Sequence, residues 1–243
     1  NADNSLDNYA LVSGGSKTTT LSVTEGSKKV QVVVNAPSGD LTASMSQSAI
    51  LASVSELADN SANSFVMVGA GNNASISSTS KSVTVNVDRI AARVVINKVT
   101  NQLSSGAAMT IDAIYVTNVA GDCDLGLSST YSIASWFNKE GYYTPTAPNK
   151  FTSPAAFVIA TPAANVANKA SYSTAQTFYV YPNSEAAANG GAWSARASKL
   201  VVKATVGEQV YYYPIQLPSI VNNHSYDNRL YSSRAQTFFY LFP

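Results

Sequence analysis

Residues 82–99 show an apolar alternation that changes phase in the middle. Odd positions carry the apolar residues first and even positions afterwards: Val83, Val85 and Val87, then Ile90, Ala92, Val94 and Ile96. Because strand side chains alternate between two faces, this shift turns the apolar set to the opposite face of the chain. A β-sandwich strand tolerates the shift through a bulge or a crossing between two packed sheets near Asp88 and Arg89. Two short strands joined by a turn at these two residues are the alternative.

Similar alternation, rich in β-branched and aromatic residues, predicts strands along most of the chain. These strands fall at residues 21–23, 30–34, 65–68, 111–119, 176–181, 200–206, 210–217 and 226–231. Gly207 and Glu208 between two of them predict a hairpin turn. Pro214 indicates that one side of the returning strand is unpaired, because proline cannot donate a ladder hydrogen bond.

Two segments predict other local structure. Ile50, Val54 and Leu57 fall at helical spacing, with a serine and an Asp-Asn pair as start and stop signals, so one short helix is expected between residues 46 and 60. Residues 69–73, Gly-Ala-Gly-Asn-Asn, suit the positive φ angles of a turn. This glycine pair lacks the third glycine, the lysine and the helix that a phosphate-binding loop needs.

The middle of the chain changes character. Residues 127–173 contain four prolines and many aromatic residues but no long alternation, and aromatic side chains of this number must pack on something. The change predicts a domain boundary at residues 122–126. The expected fold class is mainly β, with an N-terminal β-sandwich domain at residues 1–124, a C-terminal β-sandwich domain at residues 125–243, and one or two short helices.

The amino-acid composition limits the classes of molecule that this protein could bind. The chain is 45% hydrophobic but only 12% charged, against about 25% charged in an average domain, so its surface is built largely from uncharged polar residues, as is common in exported proteins. Fifteen basic and fourteen acidic side chains nearly cancel, which excludes the long-range field that gathers nucleic acid or anionic lipid. No apolar run is long enough to span a membrane as a helix, and the polar residues 1–17 suit a mature, tethering terminus.

Candidate catalytic and metal-binding residues are few. His224 is the only histidine and Cys123 the only cysteine, which excludes a disulfide within the chain and zinc sites with several imidazole ligands. Asp122 and Asp124 flank a turn and could join a calcium site, but the spacing of a calcium loop is missing, so solvated turns are the preferred interpretation. Asp3, Asn4 and Asp7 offer similar oxygens with the same shortcoming. We therefore expect no enzyme activity, no metal and no cofactor.

Four aromatic residues in loop-rich stretches are candidate surface platforms for sugar rings. They are Trp136, Tyr142, Tyr143 and Trp193. Aromatic side chains in a β domain more often pack in the core or hold loops in place, and this structural role is the alternative for all four.

Four sequence motifs occur in one order between residues 85 and 227. They are VNVDRIAARVVINKV with IDAIYVTNV soon after, TFYVYPNS, LVVKATVGEQVYYYPIQLP and IVNNHSYD. Together they resemble the fimbrillins, the major-fimbrium subunits of type V pili of Bacteroidales type. Asn222 stands where that family usually has arginine, and the first 80 residues match only in general character.

The resemblance implies two tandem transthyretin-like β-sandwich domains and export as a lipoprotein of the outer membrane, with lipid carried by the precursor. It also implies assembly into a surface fibre by strand exchange, after a protease removes an N-terminal strand. Other pilus subunits and host or bacterial surface receptors would be the partners. Only twelve residues follow Tyr231, so we expect the C-terminal donor strands of stalk subunits to be absent, as in a tip-like or truncated member. No arginine precedes Arg89 to serve as the family's processing site.

Three hypotheses follow for the function. The leading one is a non-enzymatic fimbrial subunit on the cell surface, which mediates adhesion and assembles by strand exchange. Its exchangeable strand is expected at residues 18–23, with Thr18, Thr20, Leu21 and Val23 as its key positions. The second is a secreted carbohydrate-binding module that uses the four candidate aromatic residues. The third, a secreted hydrolase, would need a pair of acidic residues facing a cleft.

Overall fold

The computed structural model describes residues 6–12, 15–37, 41–137, 159–185, 190, 192, 194–232 and 240–241. Almost all regular structure in these ranges is β. The strands are β1 Gly26–Val34, β2 Val54–Glu56, β3 Met67–Ile76, β4 Asp88–Arg89, β5 Ala92–Asn101, β6 Met109–Thr117, β7 Val119–Ala120, β8 Asp122–Asp124, β9 Trp136–Phe137, β10 Ile159–Ala160, β11 Ala164–Val166, β12 Ser171–Tyr172, β13 Gln176–Val180, β14 Lys199–Val206, β15 Gln209–Gln216, β16 Ser225–Ser232 and β17 Tyr240–Leu241. A short helix, α1 Gln47–Ala52, and a 3₁₀ turn at Leu57–Asp59 complete the regular structure.

Two five-stranded sheets pack face to face. In the first sheet, β12 and β13 flank one side of β5, and β16 runs parallel to β5 on its other side, followed by β17. In the second, β10 and β11 flank one side of β6, followed by β14 and then β15 at the edge, all antiparallel. One continuous core cluster takes side chains from both sheets. The mainly β, sandwich fold class is therefore confirmed.

The centre of the core is almost fully shielded from solvent. The innermost side chains from the two sheets are at most 1% exposed, and they are Val94, Ile96, Phe178, Ile114, Val116, Leu200 and Val202. They follow the alternation along their strands, because alternate positions of a strand face the opposite sheet. The strands predicted at 200–206 and 210–217 and the hairpin turn between them are confirmed.

The central strands β5 and β6 each contain a β-bulge that the sequence pattern does not predict. In β5, Asn97 is the extra residue of the bulge, because its neighbours Ile96 and Lys98 pair with consecutive residues of β16. The inward positions of β5 therefore shift by one, from Ile96 to Val99. Asp112 is left over in β6 in the same way.

A three-stranded antiparallel sheet, in the order β1-β3-β4, lies before the five-stranded sheets in sequence. Asp88 and Arg89 pair with β3, and after Ile90 and Ala91 the chain enters β5 of the first five-stranded sheet. The chain therefore crosses from one sheet to another between Arg89 and Ala92, as one of the two interpretations predicted, but residues 82–87 belong to no strand, so this part of the strand prediction is wrong.

The helix is shorter than predicted. Ser46 caps its start by accepting a hydrogen bond from the backbone N–H of Ala49 at 3.2 Å, and the helix ends at Ala52. Val54 instead lies in β2, which pairs with β8, and Leu57 is buried in the core. Tertiary packing therefore overrides the helical spacing of the last two positions.

Residues 69–73 lie inside β3, so the predicted turn is wrong. Gly69 pairs with Val32 of β1. On its other side the chain runs so close that a Cβ atom at Gly69 would lie 2.5 Å from Cγ1 of Val85 and 3.1 Å from Cγ1 of Val87. Glycine is required here because another segment approaches the backbone closely, and not because the chain turns.

Both five-stranded sheets combine strands from before and after residue 124. In the first sheet β5 pairs with β13 and β16, and in the second β6 pairs with β14. The predicted boundary between residues 124 and 125 therefore does not separate these sheets. A division of the chain into two domains stays a prediction.

A buried hydroxyl group ties the segment around the 3₁₀ turn to the sandwich. The Tyr181 hydroxyl lies 2.9 Å from Oγ of Ser55, accepts a hydrogen bond from Nδ2 of Asn60 at 2.8 Å and donates one to the carbonyl of Glu56 at 2.9 Å. Oδ1 of Asn60 in turn accepts a hydrogen bond from the backbone of Val66. Residues 55–66 are thereby fixed against the end of β13.

Candidate functional site

The N-terminal segment, defined here as residues 6–12 and 15–24, lies outside every sheet of the described chain. Thr18, Thr20, Leu21 and Val23 are all exposed and belong to no strand, so the strand predicted at 21–23 is wrong. The segment also exposes a series of large apolar side chains, namely Leu6, Tyr9, Leu11, Val12, Leu21 and Val23, at 37% to 87%. These six residues make the segment the candidate interaction surface of the described chain.

A single ion pair anchors the N-terminal segment to β1. Oδ2 of Asp7 lies 2.8 Å from Nζ of Lys28, which is 7% exposed, and accepts hydrogen bonds from the backbone and the hydroxyl of Thr24 at 2.9 and 3.0 Å. The hydrogen bond from Lys28 is the main cause that lowers the pKa of Asp7. No motif marks this pair in the sequence, because its two residues lie far apart along the chain.

The two arms of this segment, residues 6–12 and 15–24, also contact each other. Nδ2 of Asn8 donates a hydrogen bond to the carbonyl of Ser22 at 2.7 Å. Gly15, with a φ angle of 71°, lies in the turn between the two arms. The arms therefore lie side by side, and the contacts with Asp7 and Asn8 hold the arm that contains residues 18–23.

The three-stranded sheet buries its apolar residues incompletely. Val30, Val32, Val33 and Val34 of β1 are all only half-buried. Val33, together with Val68 of β3, packs against the edge of the main core. In the described chain its three strands pair only with one another.

The edge strand β15 exposes apolar residues at its beginning. Among the described strands it pairs only with β14, over eight residue pairs. Val210 is 48% exposed and Tyr211 is 46% exposed, whereas Ile215 near the other end is buried in the core. Pro214 predicted an unpaired side for this strand, and the position of β15 at the edge of the sheet confirms it.

The candidate aromatic platforms have little support in the described residues. Trp136 is half-buried in β9 and packs against the main core, so only part of its ring is available to a ligand. Tyr142, Tyr143 and Trp193 lie outside the described residues. Their role as surface aromatics stays a prediction.

Asp122 and Asp124 do not form the solvated turns that the sequence predicted. Both are buried in β8, and Asp122 accepts hydrogen bonds from Tyr131, from the backbone of Ala134, and from the backbone and hydroxyl of Ser135. Burial by itself raises the pKa of Asp122, but these hydrogen bonds outweigh it and leave the pKa lowered. The carboxylate fixes the loop before β9, a structural role that residue spacing does not reveal.

The remaining reactive side chains are placed unfavourably for chemistry. Burial, with help from the carboxylates on either side, raises the pKa of Cys123 to about 12, so its thiol is inert. His224 is exposed and its Nδ1 lies 2.8 Å from the carbonyl of Asn222, as expected of a polar turn residue. Within the described residues, no three acidic, histidine or cysteine side chains form a group that could hold a metal ion.

No helix in the described ranges has the length and apolar character needed to cross a membrane. Comparison with known proteins gives no sequence-level assignment: no family model matches the chain, and no curated protein matches it.

Several solved structures are similar in fold. A candidate cell adhesion protein of Parabacteroides distasonis gives a TM-score of 0.58 at 13% identity, with 90% of this chain and 71% of that chain covered. One of Bacteroides eggerthii gives 0.57 at 18% identity, covering 84% and 68%. A fimbrial assembly protein of Parabacteroides distasonis gives 0.50 at 14% identity, covering 91% and 74%. At such low identity the similarity shows a common fold, and function has to be argued from the site.

Proposed function

We propose that this chain is a fimbrillin-like subunit of a cell-surface fimbrium, a non-enzymatic protein that takes part in adhesion and assembles with other pilus subunits. The observation that carries the proposal is the N-terminal segment, which exposes six large apolar side chains beside a well-packed sandwich. The fold shared with a fimbrial assembly protein and with candidate cell adhesion proteins supports it. Attachment to the outer membrane through a lipid on the precursor belongs to the same proposal.

We further propose that assembly proceeds by strand exchange, with residues 18–23 as the donor. Because these residues belong to no described sheet, removing them would open no groove among the described strands. Their exposure and their β-branched residues instead suit a segment that adds as a strand to a second molecule. This differs from the removal of an N-terminal strand that the resemblance to fimbrillins implies.

One contact of this kind between two subunits contributes a modest free energy of association. Burying the exposed part of Leu21 and Val23, 38% and 37% of these side chains, would gain about 1–2 kcal/mol in total, since full burial of such a side chain contributes about 1.5–3 kcal/mol. Main-chain hydrogen bonds to the accepting strand would contribute further, at about 0.5–1.5 kcal/mol each. A fibre that repeats this contact needs no disulfide, which agrees with a chain whose only cysteine is buried.

The test compares the full chain with a variant that lacks residues 1–23. We expect the full chain to form polymers, visible in electron micrographs and as ladders on gels, and the shortened chain to form none. A double variant, Leu21→Asp with Val23→Asp, should lose polymers as well. Val221→Asp, a change at a 44% exposed residue outside the N-terminal segment, is the matched control and should keep them.

Absence of polymers from the full chain under all conditions, including after trimming by proteases, would contradict the proposal. The carbohydrate-binding alternative has no comparable support, because Trp136 packs against the core.

A further inference from the structure

The beginning of β15 is an edge without the usual protection against pairing. Sheet edges in native proteins are commonly short, charged, bulged or covered, because an exposed edge is a template for another strand. Gln209, Val210 and Tyr211 are all exposed and uncharged. Pro214, which discourages pairing, lies at the far end of the strand.

Several other described edges carry such protection. β1 has two lysines, Lys28 and Lys29, in its first half. β10, β11 and β12 are only two or three residues long. β13 is uncharged, but none of its residues is fully exposed, and the ring of Tyr179 packs edge-on against Phe65 at 4.8 Å.

We propose that the exposed beginning of β15 is the acceptor edge for residues 18–23 of a second copy of this chain. This inference rests on the proposed function, since it names the acceptor for the donor strand proposed there. A contact between residues 18–23 of one copy and β15 of another would cover the exposed apolar residues of both. Pairing between the β15 strands of two copies would leave residues 18–23 exposed to solvent.

The faces of the two strands agree. Tyr211 lies on the same face of β15 as Tyr213 and Ile215, which reach the main core. Leu21 and Val23 share one face of an extended segment because they are two residues apart. With this face turned toward Tyr211, the added strand extends the core side of the second sheet.

The geometry of assembly follows from the difference between the two surfaces. The donor and the acceptor are different parts of the same chain, so the contact is heterologous. Heterologous contacts that do not close into a ring build open filaments. The pair of surfaces therefore suits a fibre rather than a closed dimer.

A peptide-binding experiment on the full chain tests the acceptor directly. The probe is a fluorescent peptide of residues 17–25, and the control peptide carries Leu21→Asp and Val23→Asp. Binding is measured by anisotropy to the unchanged chain, to Val210→Lys and to Val221→Lys. Val221 is the matched control because it is 44% exposed and lies outside every named strand.

We expect Val210→Lys to weaken binding by about tenfold or more, and Val221→Lys to change it less than about twofold. Circular dichroism of both variants checks that they are folded. Equal binding to both variants, or no binding of the peptide while the full chain still forms polymers, would overturn the acceptor assignment and leave the proposed function standing. Neither binding nor polymers would overturn both.

Mixing two single-cysteine variants gives an independent reading. Leu21→Cys and Tyr211→Cys should form mixed disulfide-linked dimers under mild oxidation, while each variant alone should form few. The natural thiol of Cys123 does not interfere because it is buried. Efficient dimers of Tyr211→Cys alone would instead indicate pairing between two β15 edges and would contradict the proposal.

Discussion

The three-stranded sheet and the five-stranded sheets are built from similar residues but differ sharply in burial. Val30, Val32 and Val34 of β1 are half-buried, whereas Val94 of β5 and Val202 of β14 are fully buried. Both sets follow a strand-like sequence, so local preference is the same. The difference lies in packing, because the two five-stranded sheets share one buried core, whereas Val33 and Val68 of the three-stranded sheet pack against that core and stay partly buried.

The two regions therefore differ in role: the sandwich supplies most of the buried core, and the N-terminal region supplies most of the exposed apolar surface. The sandwich holds the buried core, and most of the large apolar residues that are exposed in the described chain precede residue 84. Exposed apolar surface costs free energy that a partner can recover. The N-terminal region is therefore the side on which we expect assembly contacts, with the edge of β15 as their counterpart.

The largest expected effect comes from truncating the core. Ile114→Ala, at a fully buried position in β6, should lower the free energy of unfolding by about 2–5 kcal/mol, because it removes apolar contacts and leaves a cavity. Ile76→Ala, at a half-buried position in β3, should cost less than about 1.5 kcal/mol. Urea denaturation measures both, and equal losses would erase the contrast between the two regions.

A smaller effect is expected at the buried carboxylate. Asp122→Asn should lower the free energy of unfolding by about 2–3 kcal/mol, since an amide cannot accept the full set of hydrogen bonds from Tyr131, Ala134 and Ser135. Asp227→Asn is the control, because it removes only an exposed ion pair with Arg93 at 3.8 Å. A surface pair of this kind contributes about 0–1 kcal/mol.

The effect of Asp122 should depend on pH with a definite sign. Because its pKa is lowered in the folded state, its stabilising contribution is present above the ordinary aspartate pKa of about 3.9 and is lost as the pH falls through the lower, folded value. The difference in stability between the natural chain and Asp122→Asn should shrink on acidification below about pH 4. A difference that grows with acidity would contradict the assignment.

The connection between the two regions should be sensitive to one hydroxyl group. Tyr181→Phe removes the partner of Ser55, Asn60 and Glu56, and should lower stability by about 1–2 kcal/mol. Tyr179→Phe, at a half-buried tyrosine two residues earlier, in β13, should change it by less than about 0.5 kcal/mol. Faster amide hydrogen exchange in residues 55–66 of the first variant alone would locate the effect.

The smallest change in global stability is expected at the anchor of the N-terminal segment. Asp7→Asn removes the ion pair with Lys28 and weakens the hydrogen bond from the backbone of Thr24. Amide exchange at Thr24 should become faster while the amides of β5 and β6 keep their protection, because the segment lies outside the sheets. Glu25→Gln, a change of the same charge at an exposed neighbour, should leave Thr24 unaffected.

Much of the sandwich could be predicted from alternation alone. The hairpin of β14 and β15 and the strands β13 and β16 occur where period-two patterns predict them. The errors fall where packing outweighs local pattern. Val54 and Leu57 have helical spacing but serve β2 and the core, and residues 69–73 look like a turn but pass through β3.

The candidate site was less accessible from sequence. Pro214 correctly marked a strand with one unpaired side, but the alternation pattern did not indicate that Val210 and Tyr211 are exposed. Residues 18–23 were predicted to form an exchangeable strand, but they lie outside every described sheet, and their role in exchange stays a prediction. Period and residue type report a preference for the extended conformation, and they do not report whether a neighbouring strand is present.

What the sequence by itself determined is the long strands of the two five-stranded sheets, the mainly β class and the absence of a strong charge field, since all of these depend on local side-chain order and composition. Only the tertiary structure decided which strands pair, that strands on both sides of residue 124 share two sheets, and which apolar residues stay exposed. Those outcomes depend on contacts between residues far apart in the chain, such as Asp7 with Lys28 and Tyr181 with Asn60. No local pattern encodes such contacts, because each partner looks the same in sequence whether or not the other is near.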